Sequence, residues 1–349
     1  MRSMTRRSCL AALASAAVVP ASALHAKARG VERDRGAAPP GSASMRGAFM
    51  ILSTPFTESG AVDWDDLARE ARFVDACGAQ GIVWPQGSSS VAYLTKEERL
   101  RGMALLAKTR GRNAALVLGV QGRDASEMTE YARRAEALAP DALIAMPPSG
   151  AASLDEYRTY FQALGDLTKR PVIIQTSGGA KDLPPSVEMM VALARERPHL
   201  GYVKEESEPL IERMKALVAA RPPMTRVFGA SFGVGWLYEM RLGLDGVITG
   251  NAMYADLMAR MWDLHERGRA DELRDAFGRF LLMRNLAQQI PGADLYVMKK
   301  RGIFKTTTTR SARGTRTLAF SADQIAEIDY RFDGLKPYLT PPAASSSAL

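Results

Sequence analysis

The sequence predicts a (β/α)8 barrel, and three observations carry that expectation. Eight short apolar runs recur along the chain, at 49–54, 82–85, 115–120, 142–146, 172–175, 201–204, 226–229 and 246–249. Runs of this kind mark strands buried on both faces, which a parallel sheet covered by helices provides. Their starts fall about 20–35 residues apart, the length of one strand, one crossover helix and two loops. Amphipathic helical stretches fill the intervals, at 63–76, 95–109, 125–138, 154–167, 186–197, 208–220 and 232–242. Eight such units close a barrel. The competing architecture is an open doubly wound sheet, but no Gly-x-Gly-x-x-Gly turn follows the first run, so a dinucleotide site is not indicated.

Taken in order, residues 1–26 stand apart. Arg2, Arg6 and Arg7 precede an apolar run from Cys9 to Val19, and Ala21, Ala23 and Ala26 offer cleavage positions. The run is too short to span a membrane and reads as a signal peptide, so no stable membrane anchor is expected. Thr5-Arg6-Arg7-Ser8-Cys9-Leu10 resembles a twin-arginine motif. The expectation is a periplasmic or secreted protein exported folded by that route, with the general secretory route as the alternative. Residues 27–46, rich in Ala, Gly, Pro, Arg and Ser, read as a disordered linker. The barrel with its C-terminal helices is expected over 47–335 and a tail over 336–349.

The net charge of +8 falls to +5 when the three arginines of 1–26 are removed. That balance, without a basic patch interleaved with aromatics, argues against a nucleic-acid partner. Of the two cysteines only Cys77 then remains, so no intrachain disulfide is available. Within the barrel, Asp63 opens the first helix, and Thr95-Lys96-Glu97-Glu98 has the form of a capping box. Beyond the eighth run, helical patterns continue at 254–267, 270–290, 293–301 and 322–332. The threonine-rich, basic stretch 305–316 reads as a loop.

In such a barrel the chemistry sits at the C-terminal ends of the strands. Those ends supply Ser53-Thr54, Gln86-Gly87-Ser88-Ser89-Ser90, Gly119-Val120-Gln121, Pro147-Pro148-Ser149, Gln175-Thr176-Ser177, Lys204-Glu205, Gly229-Ala230-Ser231 and Thr249-Gly250-Asn251. Hydroxyls and glycine amides suit a carboxylate or an oxyanion. Lys204 is the one lysine among them. Considered alone, a strand-end lysine more often snorkels to solvent. Within this mouth, desolvation lowers its pKa and suits it to imine formation with a 2-oxo acid. Glu205 and Glu206 follow directly and are expected to cap the next helix, since acids favour helix N-termini. His25, His199 and His265 are the only histidines. No cluster has metal-ligand spacing, and no metal or cofactor is expected.

Read in order, the landmarks resemble the dihydrodipicolinate synthase / N-acetylneuraminate lyase family. They are Thr54-Pro55-Phe56, Gly60-Ala61-Val62-Asp63, Gly87-Ser88-Ser89, Leu94-Thr95-Lys96-Glu97-Glu98-Arg99, Pro171-Val172-Ile173-Ile174, Gly201-Tyr202-Val203-Lys204-Glu205 and Gly243-Leu244-Asp245-Gly246-Val247-Ile248-Thr249. The resemblance implies a homo-oligomeric barrel, dimer or tetramer, that shares an imine with pyruvate or a related 2-oxo acid. It makes Lys204 the Schiff-base lysine. It matches Gly87, Ser88 and Ser89 to the motif that holds the substrate carboxylate, and Ile248 to the position whose backbone faces the substrate.

Departures from the family pattern accompany these matches. Gln175 stands where the family has its proton-shuttling tyrosine, and Pro148-Ser149 replaces a second tyrosine. Ala180 replaces an arginine, for which Lys181 offers only a point charge. A glutamine side chain neither gives nor takes a proton near neutral pH. Glu205, Glu206, Ser88, Tyr93 or a water are the candidates to carry protons instead. Three functions stay open: a Schiff-base lyase or dehydratase acting on a 2-oxo or 2-oxo-3-deoxy acid, a catalytically degenerate periplasmic 2-oxo-acid binding protein, and a genuine 4-hydroxy-tetrahydrodipicolinate synthase.

Overall fold

The computed structural model describes residues 45–111 and 113–340. The expected signal peptide, residues 27–44 of the expected linker and residues 341–349 of the tail lie outside the described residues. The eight apolar runs form β1 (Gly47–Ile51), β2 (Gly81–Trp84), β3 (Ala115–Gly119), β4 (Ala142–Ala145), β5 (Val172–Gln175), β6 (Tyr202–Lys204), β7 (Arg226–Gly229) and β8 (Gly246–Thr249). They pair in parallel in chain order, and β8 closes on β1 from Gly47↔Gly246 to Met50↔Thr249. The protein is a (β/α)8 barrel.

The surrounding helices are α1 (Trp64–Ala76), α2 (Lys96–Thr109), α3 (Ala125–Glu136), α4 (Leu154–Leu167), α5 (Val187–Glu196), α6 (Leu210–Ala219), α7 (Trp236–Arg241) and α8 (Ala255–Glu266). Side-chain caps fix where several begin. The Asp63 carboxylate accepts from the Asp66 amide, Thr95 and Glu98 form the expected reciprocal box, and Asp124, Ser153 and Ser186 cap α3, α4 and α5. Each such cap is worth about 1 kcal/mol.

Alternate residues of the strands point inward. Phe49, Ile51, Val83, Val117, Ile144, Ile173, Phe228 and Ile248 make an apolar plug in the barrel, with the Phe49 and Phe228 rings edge to face at 5.3 Å. Gly81 must be glycine here, because a Cβ would lie 1.9 Å from the Phe49 ring. The outward residues pack under the helices in the larger core. The plug closes the barrel below, so the polar residues at the strand ends form the floor of the mouth.

Three further helices follow: α9 (Ala270–Gln289), α10 (Ala293–Lys300) and α11 (Ala322–Asp333). Of these, α9 packs on α7 and α8, whose Trp236 and Trp262 rings stack, and α10 and α11 pack on α9. The buried Asp256 carboxylate holds both terminal nitrogens of Arg301. The stretch 305–316 is not the expected loop. It contains the hairpin β9 (Thr308–Ser311) and β10 (Gly314–Thr317). Consecutive β-branched threonines favour extended backbone, and a bridge from Thr308 to Phe56 lays the hairpin over the β1–α1 loop. Arg310 fastens it there, bonding the Tyr93 and Gly60 carbonyls and the Glu98 carboxylate. Packed structure also reaches past both expected boundaries. Met45 is buried, Arg46 pairs with Asp245, and Tyr338 and Thr340 bond to Asp275 and Asp256.

Candidate active site

Parallel pairing of β5 with β6 sets Gln175 opposite Lys204. Both are inward positions by alternation from Ile173 and Tyr202. Lys204 is 5% exposed. Its Nζ donates to Glu206 Oε1 at 2.8 Å. Burial pulls the ammonium pKa below the usual lysine value, and the Glu206 carboxylate opposes that pull without cancelling it. The amine is therefore easier to free than an exposed lysine's, while a carboxylate stands ready to receive its proton.

Glu206 belongs to a chain of bonds. The Ser177 hydroxyl donates to Glu206 Oε1, and Gln175 Nε2 donates to Ser177 Oγ at 3.1 Å. Gln175 Oε1 is buried and has no partner among the described residues. Glu206 Oε2 takes part in none of these bonds either. Residues 175 and 177, like 204 and 206, are two apart, so extended backbone turns each pair to one face. That spacing was the signal in the sequence that could have joined Ser177 and Glu206 to Lys204.

The expectation that Glu205 and Glu206 cap the next helix is corrected. α6 begins at Leu210, and its first amide is held by Glu208 Oε2 at 3.0 Å. Glu205 turns outward and is fully buried. Its carboxylate accepts from Thr176 Oγ1 at 2.7 Å and the Ser207 amide at 2.8 Å, and pairs with Arg213 at 3.0 Å. Thr176 Oγ1 in turn accepts from the Glu206 amide at 2.9 Å, so the outward network fixes the backbone that presents Glu206 inward.

On the far side of the mouth, Gly87, Ser88 and Ser89 form a tight turn after β2. The serine pair is split. Ser88 is exposed, and its hydroxyl abuts the end of β8, where a Cβ on Gly250 would lie 2.5 Å from it. Ser89 is buried, donates its only hydroxyl proton to the Leu52 carbonyl at 2.6 Å, and accepts from the Gln86 amide at 3.1 Å. Its hydroxyl thus secures the turn and has no proton left for a carboxylate. Ile248 lies one layer down, buried in the plug and paired with Phe49. Gln86 Nε2 donates to Gln121 Oε1 at 2.9 Å, joining the ends of β2 and β3.

Two arginines near the rim are committed elsewhere. Arg99 lies over the Tyr131 ring and bonds the Gln121 carbonyl. Arg284 pairs with Asp294 and covers the Phe232 ring. Lys181 is 92% exposed, near Asp182. Tyr93 sits on the rim, partly exposed. No group of three or more metal-ligating side chains occurs among the described residues.

Residues 44–311 match the profile of the Dihydrodipicolinate synthetase family. The 4-hydroxy-tetrahydrodipicolinate synthase of Chlorobaculum parvum is 28% identical over 233 residues, covering 66% of this chain and 78% of that one. The enzyme of that name from Stenotrophomonas maltophilia is 27% identical over 223 residues, covering 63% and 74%. Among solved structures, dihydrodipicolinate synthase from Rhodopseudomonas palustris matches with a TM-score of 0.72 at 20% identity, over 83% of this chain and 97% of its own. The chloride-inhibited dihydrodipicolinate synthase from Acinetobacter baumannii, complexed with pyruvate, matches with a TM-score of 0.72 at 17% identity, over 84% and 99%. At these identities the structural matches speak to the fold.

Proposed function

This chain belongs to the Dihydrodipicolinate synthetase family, and from that premise we propose that it is a Schiff-base lyase acting on pyruvate or a longer 2-oxo or 2-oxo-3-deoxy acid. The observation that carries the reading is the buried lysine at the end of β6, its pKa lowered and a carboxylate 2.8 Å from its nitrogen. Lys204 adds to the C2 carbonyl and water leaves. The protonated imine then draws electrons from the neighbouring carbon, which permits C–C or C–O cleavage or formation. The Ser88 hydroxyl and the amides of its turn hold the substrate carboxylate. Gln175, whose amide oxygen is buried without a partner among the described residues, orients substrate.

The curated relatives named above are 4-hydroxy-tetrahydrodipicolinate synthases. That activity is the less favoured alternative here, because Gln175 replaces the tyrosine and Ala180 replaces the arginine. A binding protein without turnover is the other alternative, and Gln175 is its support. We also propose export by the twin-arginine route and assembly into a dimer or tetramer. The support for export is the Arg6-Arg7 motif ahead of an apolar run. The support for assembly is the exposed Phe232, Val234 and Tyr238 on one segment. Fractionation of cells carrying Arg6→Lys with Arg7→Lys tests the route: retention of the double variant in the cytoplasm supports it, and unchanged export overturns it. Light scattering of the purified protein tests the assembly.

The deciding experiment is borohydride trapping. Protein mixed with pyruvate and reduced should carry a covalent adduct on Lys204, absent in Lys204→Ala. A folded protein that traps neither pyruvate nor longer 2-oxo acids would sink the lyase reading and favour the binding protein.

A further inference from the structure

Imine chemistry requires a group that moves protons beside the lysine, and Gln175 cannot be that group. The direction of the bonds on the β5–β6 side identifies one. The Ser177 hydroxyl gives its only proton to Glu206 Oε1, so its oxygen accepts from Gln175 Nε2. Lys204 Nζ donates to that same carboxylate oxygen. Donors converge on Glu206 from both sides, and within this chain only Lys204 and Glu206 can exchange protons. The other candidates stand elsewhere. Glu205 is spent on Thr176, Ser207 and Arg213. Ser88 lies against Gly250 across the mouth, and Tyr93 is on the rim.

We infer that Glu206 is the catalytic acid–base of the imine chemistry at Lys204, taking the proton from C3 of the bound 2-oxo acid, with Ser177 and Gln175 as its positioning residues. The inference rests on the Schiff-base reading and deepens it. Glu206 first accepts the proton that the Lys204 ammonium must shed. The free amine adds to C2, and Glu206 returns the proton to the hydroxyl that departs as water. In the imine the C3–H bond then breaks. The proton passes to the Glu206 carboxylate, the bonding pair forms a C2=C3 double bond, and the C2=N pair returns to Nζ. The product is a neutral enamine, with no oxidant or reductant involved. Reprotonation or attack from C3 reverses or completes the sequence. A carboxylate beside Nζ also stabilises the positive charge of the imine, which a tyrosine would do less well.

The test separates imine formation from proton abstraction. Pyruvate in heavy water exchanges its methyl protons for deuterium through the enamine, above the slow enolisation measured without protein, so proton NMR reads the C3 step without a second substrate. The adduct trapped at equilibrium by borohydride reads the imine. Wild type should trap pyruvate and exchange it. Glu206→Gln should still trap on Lys204 but exchange roughly 10²–10⁴-fold more slowly per trapped adduct. Glu206→Asp should recover part of the rate. Ser177→Ala, which leaves Glu206 in place but unheld, should slow exchange by about tenfold, the scale of one hydrogen bond. Exchange at the wild-type rate in Glu206→Gln overturns the inference. So does a folded Glu206→Gln that traps nothing while wild type traps, since Glu206 would then act only on the lysine. Absence of trapping in wild type removes the Schiff-base reading itself and takes this inference with it.

Discussion

Glu205 and Glu206 are neighbours on the chain and face opposite sides of the end of β6. On the outward side, Glu205 is fully buried and its carboxylate meets a hydroxyl, an amide and a guanidinium. On the inward side, Glu206 meets the Lys204 ammonium and the Ser177 hydroxyl, and the chain behind it ends in an amide oxygen without a partner. The same side chain is a fastener on one face and a reagent on the other. A carboxylate whose partners are all fixed protein groups stabilises the fold and has nothing to give a ligand. One that shares a single oxygen with a buried amine can exchange a proton with it. Thr176 connects the two regions, because its hydroxyl donates to Glu205 and accepts from the Glu206 amide.

Exchanging the two losses gives the largest expected effect. Glu205→Ala leaves the Arg213 guanidinium without its carboxylate and should cost about 3–5 kcal/mol of stability. Glu206→Gln keeps the shape, and the buried lysine can shed its charge instead of remaining an unpaired ion. Its cost should stay under about 1 kcal/mol. Urea denaturation of both variants checks this contrast. Equal destabilisation, or a Glu206→Gln less stable than Glu205→Ala, would erase the distinction between fastener and reagent.

Much of this barrel is legible in the sequence for a definite reason. Strands buried on both faces carry unbroken apolar runs, so all eight are found where the runs lie, and Asp63, Thr95, Asp124, Ser153 and Ser186 mark the helix starts with their own side chains. The hairpin at 308–317 is not legible, because its threonines and arginines are polar and its anchors, Phe56, Gly60, Tyr93 and Glu98, come from far up the chain. Lys204 is legible as a strand-end lysine. Its closeness to Gln175 depends on the β5–β6 register, which one strand alone does not specify. Glu206 is hidden by a local rule, since an acid just before a helix reads as a cap, and here Glu208 takes that place.

Glu239 sharpens the comparison from the other direction, as a buried carboxyl with a face left unmet. It lies on α7 against Gly229 and Gly235, and its Oε2 has no partner among the described residues. Burial pushes its pKa from 4.5 up to about 7. The folded protein therefore keeps this proton to about pH 7, whereas the unfolded chain releases it near 4.5. The stability it contributes is fully present below pH 4.5 and is lost as pH rises through 7. Over that span of about 2.5 pH units the loss is roughly 3 kcal/mol. Glu70, which burial also pushes upward, adds to the same slope. Glu239→Gln should be more stable than wild type at pH 8 and show a flatter decline between pH 5 and 8. Denaturation at the two pH values measures it, and an unchanged slope would mean that the carboxyl finds a partner in solution.

The smallest effect tests the same division across the mouth, at Ser88 and Ser89. Ser89 spends its proton on the Leu52 carbonyl and receives the Gln86 amide. Ser90, which follows, takes a left-handed backbone at φ 57°, so the turn depends on that serine's bonds rather than on easy torsions. Ser89→Ala should therefore cost about 1–3 kcal/mol by leaving buried polar groups unmet. Ser88 is open to solvent, and Ser88→Ala should change stability by less than about 0.5 kcal/mol. Its effect should fall on the ligand instead, because one hydrogen bond to a carboxylate is worth roughly 1.5–3 kcal/mol. Titrating pyruvate in the borohydride trap reads that loss as a 10–100-fold higher concentration for half-maximal adduct. A Ser88→Ala that binds pyruvate normally, beside a Ser89→Ala that folds normally and binds poorly, would reverse the two assignments and move the carboxylate site one residue along the turn.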